Sequence, residues 1–169
     1  MERLILFAIF IPLPAPLLLA HNPGLSSLEL KVDESWIEAT LTYAFADAEA
    51  LVLLDANHDG YAVQAEIDAA RSPAAMLAKS ALELTLEGAS LTPSNVAVSV
   101  DDQNAVRWTI TYGRGPGKSL SVRSPLIGKF ARGHRQFLTV KDMLGTVLLE
   151  RMLDEKSLAV AVDLTEARG

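Results

Sequence analysis

The chain has no cysteine. Disulfides, thiolate metal sites and cysteine nucleophiles are therefore excluded. Aromatic residues make up only 6% of the sequence, and there are three histidines, His21, His58 and His134. Basic side chains are in deficit: 15 Lys and Arg against 21 Asp and Glu leave a net charge of -6, which argues against a nucleic-acid partner. The signatures of common hydrolases are missing as well, with neither H-E-x-x-H nor G-x-S-x-G anywhere in the chain. The paired acids Asp101-Asp102 and Asp154-Glu155 fall in turns, where water solvates them. No enzyme is expected. Beyond the first twenty residues, no apolar run approaches the ~18 residues that a membrane-spanning helix needs.

What is present begins with those twenty residues. Met1-Glu2-Arg3 leads into an apolar run from Leu4 to Ala20, interrupted by Pro12, Pro14 and Pro16. Proline is poorly suited to a spanning helix, and the small Ala20 suits a cleavage site, so residues 1–20 read as a signal peptide. An uncleaved membrane anchor is the alternative. Either way the protein is expected outside the cytosol, periplasmic or secreted, with residues 21–169 as one domain. That length supports a core of its own.

The richest stretch is Asp55-Ala56-Asn57-His58-Asp59-Gly60-Tyr61-Ala62-Val63-Gln64-Ala65-Glu66. It fits the EF-hand calcium loop, D-x-[DN]-x-[DN]-G-x₅-E, at every required position. Calcium is a hard cation that takes oxygen ligands. Asp55, Asn57 and Asp59 would supply side-chain oxygens, Tyr61 its main-chain carbonyl and Glu66 both carboxylate oxygens. Gly60 permits the sharp turn at the sixth position. Leu51 and Leu54 before the loop, and Ile67 and Ala70 after it, lie where flanking helices would bury them, with Asp47 as the N-cap of a short first helix. An acidic surface turn would also favour Asn-x-Asp-Gly, but five matched positions with matched flanks favour the ion. Val63 at position nine has no oxygen. Ala62 at position eight is small where paired loops carry a larger apolar residue. No second loop of this pattern occurs. A lone loop with three carboxylates is expected to bind Ca2+ weakly, near ~10⁻⁴ M.

Elsewhere the periodicity is two. Leu28, Leu30 and Val32 alternate with polar neighbours, as do Ile37 to Phe45, Leu82 to Glu87, Val96 to Val100 and Val106 to Tyr112. Leu120 and Val122, Phe137 to Lys141, Val147 to Leu153 and Leu158 to Leu164 continue the series. Asp142-Met143-Leu144-Gly145 reads as a hairpin turn. Ser72-Pro73 reads as the start of a helix running to about Ser80. The expected fold is mainly β: an antiparallel, immunoglobulin-like β-sandwich with a helical EF-hand insertion at about 46–80. Its core would hold the apolar stripes, Trp36 and Trp108 among them.

Two further features carry chemistry. Gly113-Arg114-Gly115-Pro116-Gly117-Lys118-Ser119 resembles a phosphate loop but lacks the four-residue spacing, and a strand rather than a helix follows; it reads as a hairpin loop. Among the histidines, His58 sits at loop position four, which does not coordinate, and His134 lies in a basic stretch that reads as an exposed turn. His21 would become the first residue if the signal is cut after Ala20. Its free amine and ring nitrogen could then chelate copper or nickel, given a second histidine nearby, for which His134 is the candidate. The alternative function is therefore a transition-metal-handling domain.

The Ala20-His21-Asn22-Pro23 junction, the EF-hand insertion and the stretch Arg132-Gly133-His134-Arg135-Gln136-Phe137-Leu138-Thr139-Val140-Lys141-Asp142 together resemble the exported N-terminal domain of HupE/UreJ-type membrane proteins. The resemblance covers most of 21–165. It implies an extracytoplasmic location, an association with metal handling and a membrane-protein partner. This sequence has no membrane helices after Leu164, so that family's metal-permease role is not expected to carry over.

Overall fold

The structure, a computed structural model, describes residues 24–167. The signal-peptide reading and His21 lie outside the described residues. In chain order the elements are β1 (Leu25–Val32), β2 (Trp36–Ala44), α1 (Phe45–Glu49), α2 (Gln64–Ala69), α3 (Arg71–Ala81), β3 (Glu83–Leu86), β4 (Ala89–Ser90), β5 (Pro93–Val100), β6 (Ala105–Gly113), β7 (Ser119–Arg123), a 3-10 turn over Pro125–Lys129, β8 (Arg135–Asp142), β9 (Val147–Asp154) and β10 (Ala159–Asp163).

Strand side chains point alternately to opposite faces, so each alternating stripe can bury only one set. β1 buries Leu28, Leu30 and Val32, β2 buries Ile37, Ala39, Leu41 and Tyr43, and β6 buries Val106, Trp108, Ile110 and Tyr112. These strands belong to a six-stranded sheet of order β5-β6-β2-β1-β8-β9. A four-stranded sheet, β10-β7-β3-β4, contributes Leu84, Leu86, Leu120, Val122 and Val162 to the same core. The protein is a mainly β sandwich with a helical insertion between its second and third strands, as the periodicity predicts.

Three local expectations are corrected. The pairing of β1 with β8 is parallel, Leu25 facing Arg135 and Leu30 facing Val140, whereas every other described pairing is antiparallel. Alternation fixes which face a residue takes but not which strand lies alongside or in which direction. Trp36 is only half-buried, because its parity is opposite to that of Ile37. The Gly113–Gly117 stretch is not a hairpin: it carries the chain from β6 in one sheet to β7 in the other. Arg114 fixes that crossing, its guanidinium donating to the carbonyls of Asp33 and Gly117. Gly117 has no alternative there, since a Cβ would lie 2.8 Å from Leu86 Cγ.

The insertion lies against the β5 end of the larger sheet, with α2 and α3 both packed on β5. It buries Ile67, Ala74, Ala78 and Ala81. α3 begins at Arg71 with Ala70 at its N-cap, two residues ahead of the expected N-cap Ser72 and first helical residue Pro73. Pro73 falls in its first turn, where a missing N–H leaves no helical bond unmade.

Candidate functional site

The loop of residues 55–66 turns tightly around Gly60, whose φ is +88°. His58 also takes a left-handed backbone and is exposed, in keeping with a non-coordinating position. Asp55 is buried, and its two oxygens accept from inside the loop: Oδ2 from the N–H of Gly60 at 2.8 Å and Oδ1 from that of Asp59 at 3.2 Å. Burial acts to raise the Asp55 pKa, but the N–H groups of Gly60, Asp59 and His58 outweigh it, and the carboxyl stays below its ordinary value. The group is ionised at neutral pH, as a cation ligand must be.

The remaining oxygens follow the same pattern. Asn57 Oδ1 accepts from Asp59 N–H at 2.8 Å, and Asp59 Oδ1 from Tyr61 N–H at 3.0 Å. Asn57 Nδ2 donates to Asp59 Oδ2 at 3.1 Å. Glu66 closes the loop from its far end. Its Oε1 accepts from Ala56 N–H at 3.0 Å and its Oε2 from Val63 N–H at 3.2 Å. The second of these is a third-residue glutamate reaching back to the helix start, half of a capping box; Val63 has no side-chain acceptor to return it. Sequence position one and position twelve are thus brought to the same turn. Among the described residues no three His, Cys, Asp or Glu side chains gather as a metal-ligand group. The loop's oxygens are spent on its own N–H donors, and a cation would compete with those donors for them. The side-chain donors are all hard oxygens, three of them carboxylates, which suits calcium.

Two residues that the sequence did not single out hold the loop in place. The first is Glu49. α1 ends at Glu49, so the N–H groups of Leu54 and Asp55 have no helical carbonyl behind them. Glu49 Oε2 takes both, at 2.6 and 3.2 Å. The expected first helix is therefore five residues long and does not run into the loop. Asp47 lies within it rather than at its N-cap, which is Ala44. The second helix, α2, starts at Gln64 and buries Ile67 as expected. The other residue is Asn104, in the turn between β5 and β6. Its Oδ1 accepts from Ala62 N–H at 3.0 Å and its Nδ2 donates to Gly60 carbonyl at 3.2 Å. Position eight is where paired loops bridge to one another. Here an asparagine of the sandwich makes the bridge, and the small Ala62 lets it approach. We expect Asn104→Ala to remove both bonds, lower stability by about 1–2 kcal/mol, and weaken calcium binding in a titration. An unchanged melting temperature would contradict this anchoring.

The remaining candidates separate cleanly. The N–H groups of Lys118 and Ser119 both donate to Glu87 Oε1, at 2.7 and 3.0 Å, so the backbone donors that would cradle a phosphate are occupied. His134 corrects an expectation. It is not in an exposed turn but is 2% exposed. Its ring stacks on Phe130 at 4.2 Å, and its Nε2 lies 3.0 Å from Ser26 Oγ. Gln136 Nε2 reaches Ser26 Oγ and the Tyr43 hydroxyl, each at 3.2 Å. Burial pushes the Tyr43 phenol pKa far up, so it stays neutral.

No family model matches the chain, and no curated protein resembles it closely enough to count as a relative.

Proposed function

We propose that the protein is an exported, non-enzymatic calcium-binding β-sandwich module. Its single loop would hold one Ca2+ through the side chains of Asp55, Asn57, Asp59 and Glu66 and the carbonyl of Tyr61. The observation that carries the reading is the bond from Gly60 N–H to Asp55 Oδ2. It joins loop positions six and one, while Glu66 joins position twelve to position two. These bonds hold both ends of the loop to one turn, and that supports the reading.

The role proposed for calcium is structural. The loop is tied to α1 at one end by Glu49 and to the sandwich at its middle by Asn104, which ties the insertion down against helices that swing open. A sensor of this kind would instead expose an apolar groove. Weak affinity suits a protein outside the cytosol, where calcium is abundant, and a membrane-protein partner is proposed with that location. No nucleic acid is expected to bind. When bound, the ion supplies charge and oxygen-seeking coordination; the chain supplies the preformed turn.

Thermal melting tests this reading. With free calcium at ten times Kd the ion stabilises the fold by about 1.4 kcal/mol, which raises Tm by roughly 3–5 °C in a domain of this size. Protein in chelator should remain folded and melt earlier. An identical Tm with chelator and with ~5 mM calcium, well above the expected Kd, would overturn the proposal.

A further inference from the structure

His134 poses a chemical question that the calcium loop does not answer. Its imidazole is buried, stacked on Phe130, and held where four elements meet. β1 gives it Ser26, whose Oγ lies 3.0 Å from Nε2. α1 gives it Asp47, whose Oδ2 lies 3.8 Å from Nδ1. β2 gives it Tyr43, with ring centroids 6.5 Å apart. β8 gives it Gln136, whose Nε2 donates to Ser26 Oγ. Ser26 can donate to Nε2 or accept from it, so either tautomer of the neutral ring fits. In both, Nδ1 faces Asp47 without a hydrogen bond, since 3.8 Å is too long for one.

A second proton would put a full charge on this buried ring. Among the described residues, the charged and titratable groups facing it are few. Asp47 is the one carboxylate, and the Tyr43 phenol stays neutral because burial pushes its pKa far up. Ser26, Gln136 and Phe130 do not titrate, and the side chains of Arg132 and Arg135 are exposed. Burial of the imidazolium and its attraction to Asp47 therefore oppose each other. Burial wins: the His134 pKa lies below its ordinary value of 6.5, against the pull of Asp47. The folded protein holds this proton less readily than the unfolded chain does. The stability that the neutral ring confers is complete above about pH 6.5 and is lost as pH falls below it.

The seam that yields is the one towards α1. The His134 side chain is 1% exposed and that of Asp47 is 14% exposed, so water reaches the pair from the Asp47 side. Asp47 Oδ2 also accepts from Gly24 N–H, at 3.2 Å. Glu49, two residues further along α1, accepts from the N–H groups of Leu54 and Asp55. Moving α1 aside to hydrate the imidazolium would loosen all three.

We propose that His134 and Asp47 form an acid-sensitive latch that fastens α1 and the start of β1 to the sandwich, closed while the buried imidazole is neutral and opened by its protonation. The latch is independent of the calcium reading, since it shares no residue with the loop.

The test is urea unfolding of the protein in chelator from about pH 8 to about pH 5, beside His134→Phe, Asp47→Asn and His58→Asn. In wild type the unfolding constant should rise below about pH 6.5, by up to about tenfold per pH unit, the limit for one proton. His134→Phe can stack on Phe130 but cannot be protonated, and it should lose that slope. His58→Asn, on an exposed residue, should keep it. Nuclear magnetic resonance of the wild-type ring needs no variant: His134 should titrate below 6.5. In Asp47→Asn it should titrate lower still, because the one charge that favours the imidazolium is gone. Hydrogen exchange locates the opening. At the pH of half-protonation, protection should fall at Gly24, Leu54 and Asp55 before it falls at Leu138 and Val140 in β8. A ring that titrates at or above 6.5, or a titration that Asp47→Asn does not move, would overturn the proposal. So would a slope unchanged in His134→Phe, or protection lost at all five amides together.

Discussion

Glu66→Gln is expected to lower calcium affinity by about tenfold or more, at least ~1.4 kcal/mol. Glu66 is the one loop residue able to offer an ion two oxygens, and its carboxylate already does two jobs. One oxygen accepts from Ala56 N–H and the other from Val63 N–H. Glutamine keeps the length and one acceptor oxygen, but its other arm is a donor that would face a second donor. The substitution therefore removes a charge, removes bidentate coordination and loosens the loop closure before any ion arrives. Asp55→Ala should act in the same direction, because it deletes the acceptor for the N–H groups of Gly60 and Asp59. His58→Asn should not. Position four does not coordinate, and asparagine tolerates the left-handed backbone that His58 adopts. Calorimetric titration of the three variants checks the order; equal affinities for wild type and Glu66→Gln would refute it.

Trp108→Ala is expected to destabilise the sandwich by about 3–5 kcal/mol, a large share of the ~5–15 kcal/mol that a domain possesses. Trp108 is fully buried on β6, with β5 and β2 on either side. Its ring lies 5.0 Å from that of Tyr43. Alanine would leave a void that a strand flanked on both sides cannot collapse to fill. Trp108→Phe should be far milder. It keeps most of the apolar volume, and it removes an indole N–H that is buried without a hydrogen-bond partner, a group whose desolvation works against folding. Urea unfolding measures both. A phenylalanine variant as unstable as the alanine variant would show that the N–H is satisfied in some other way.

The sandwich was legible because alternation is a direct imprint of the pleat. Leu28, Leu30 and Val32, or Val106, Trp108, Ile110 and Tyr112, can bury together only in a strand. Strand partners were not legible. Nothing in the pattern of Leu25–Val32 says that Arg135–Asp142 runs parallel beside it, since that pairing depends on a contact more than a hundred residues away in sequence. Trp36 failed for a simpler reason: hydrophobicity suggested core, while its parity with Ile37 said otherwise.

The tight turn over residues 55–66 was legible because the Asn-x-Asp-Gly spacing that makes it is local. Its supports were not. Glu49 matters only because α1 stops short, and Asn104 only because a turn between two distant strands passes beside Gly60. Each is an ordinary polar residue in its own stretch of sequence. The sequence around His134 reads as an exposed turn because its neighbours Arg132 and Arg135 are charged. In the fold Phe130 stacks on its ring, and Ser26 of β1 and Asp47 of α1, both distant in sequence, lie against its two nitrogens.

Calcium binding by the loop is tested by a calorimetric titration of residues 21–169 with Ca2+, beside Glu66→Gln under identical conditions. The wild type should show a single site with Kd on the order of 10⁻⁴ M, and the variant a loss of tenfold or more (~1.4 kcal/mol). A wild-type protein that releases no heat at ~5 mM calcium, well above that Kd range, would contradict it, and the loop would then be a turn held together by its own N–H groups.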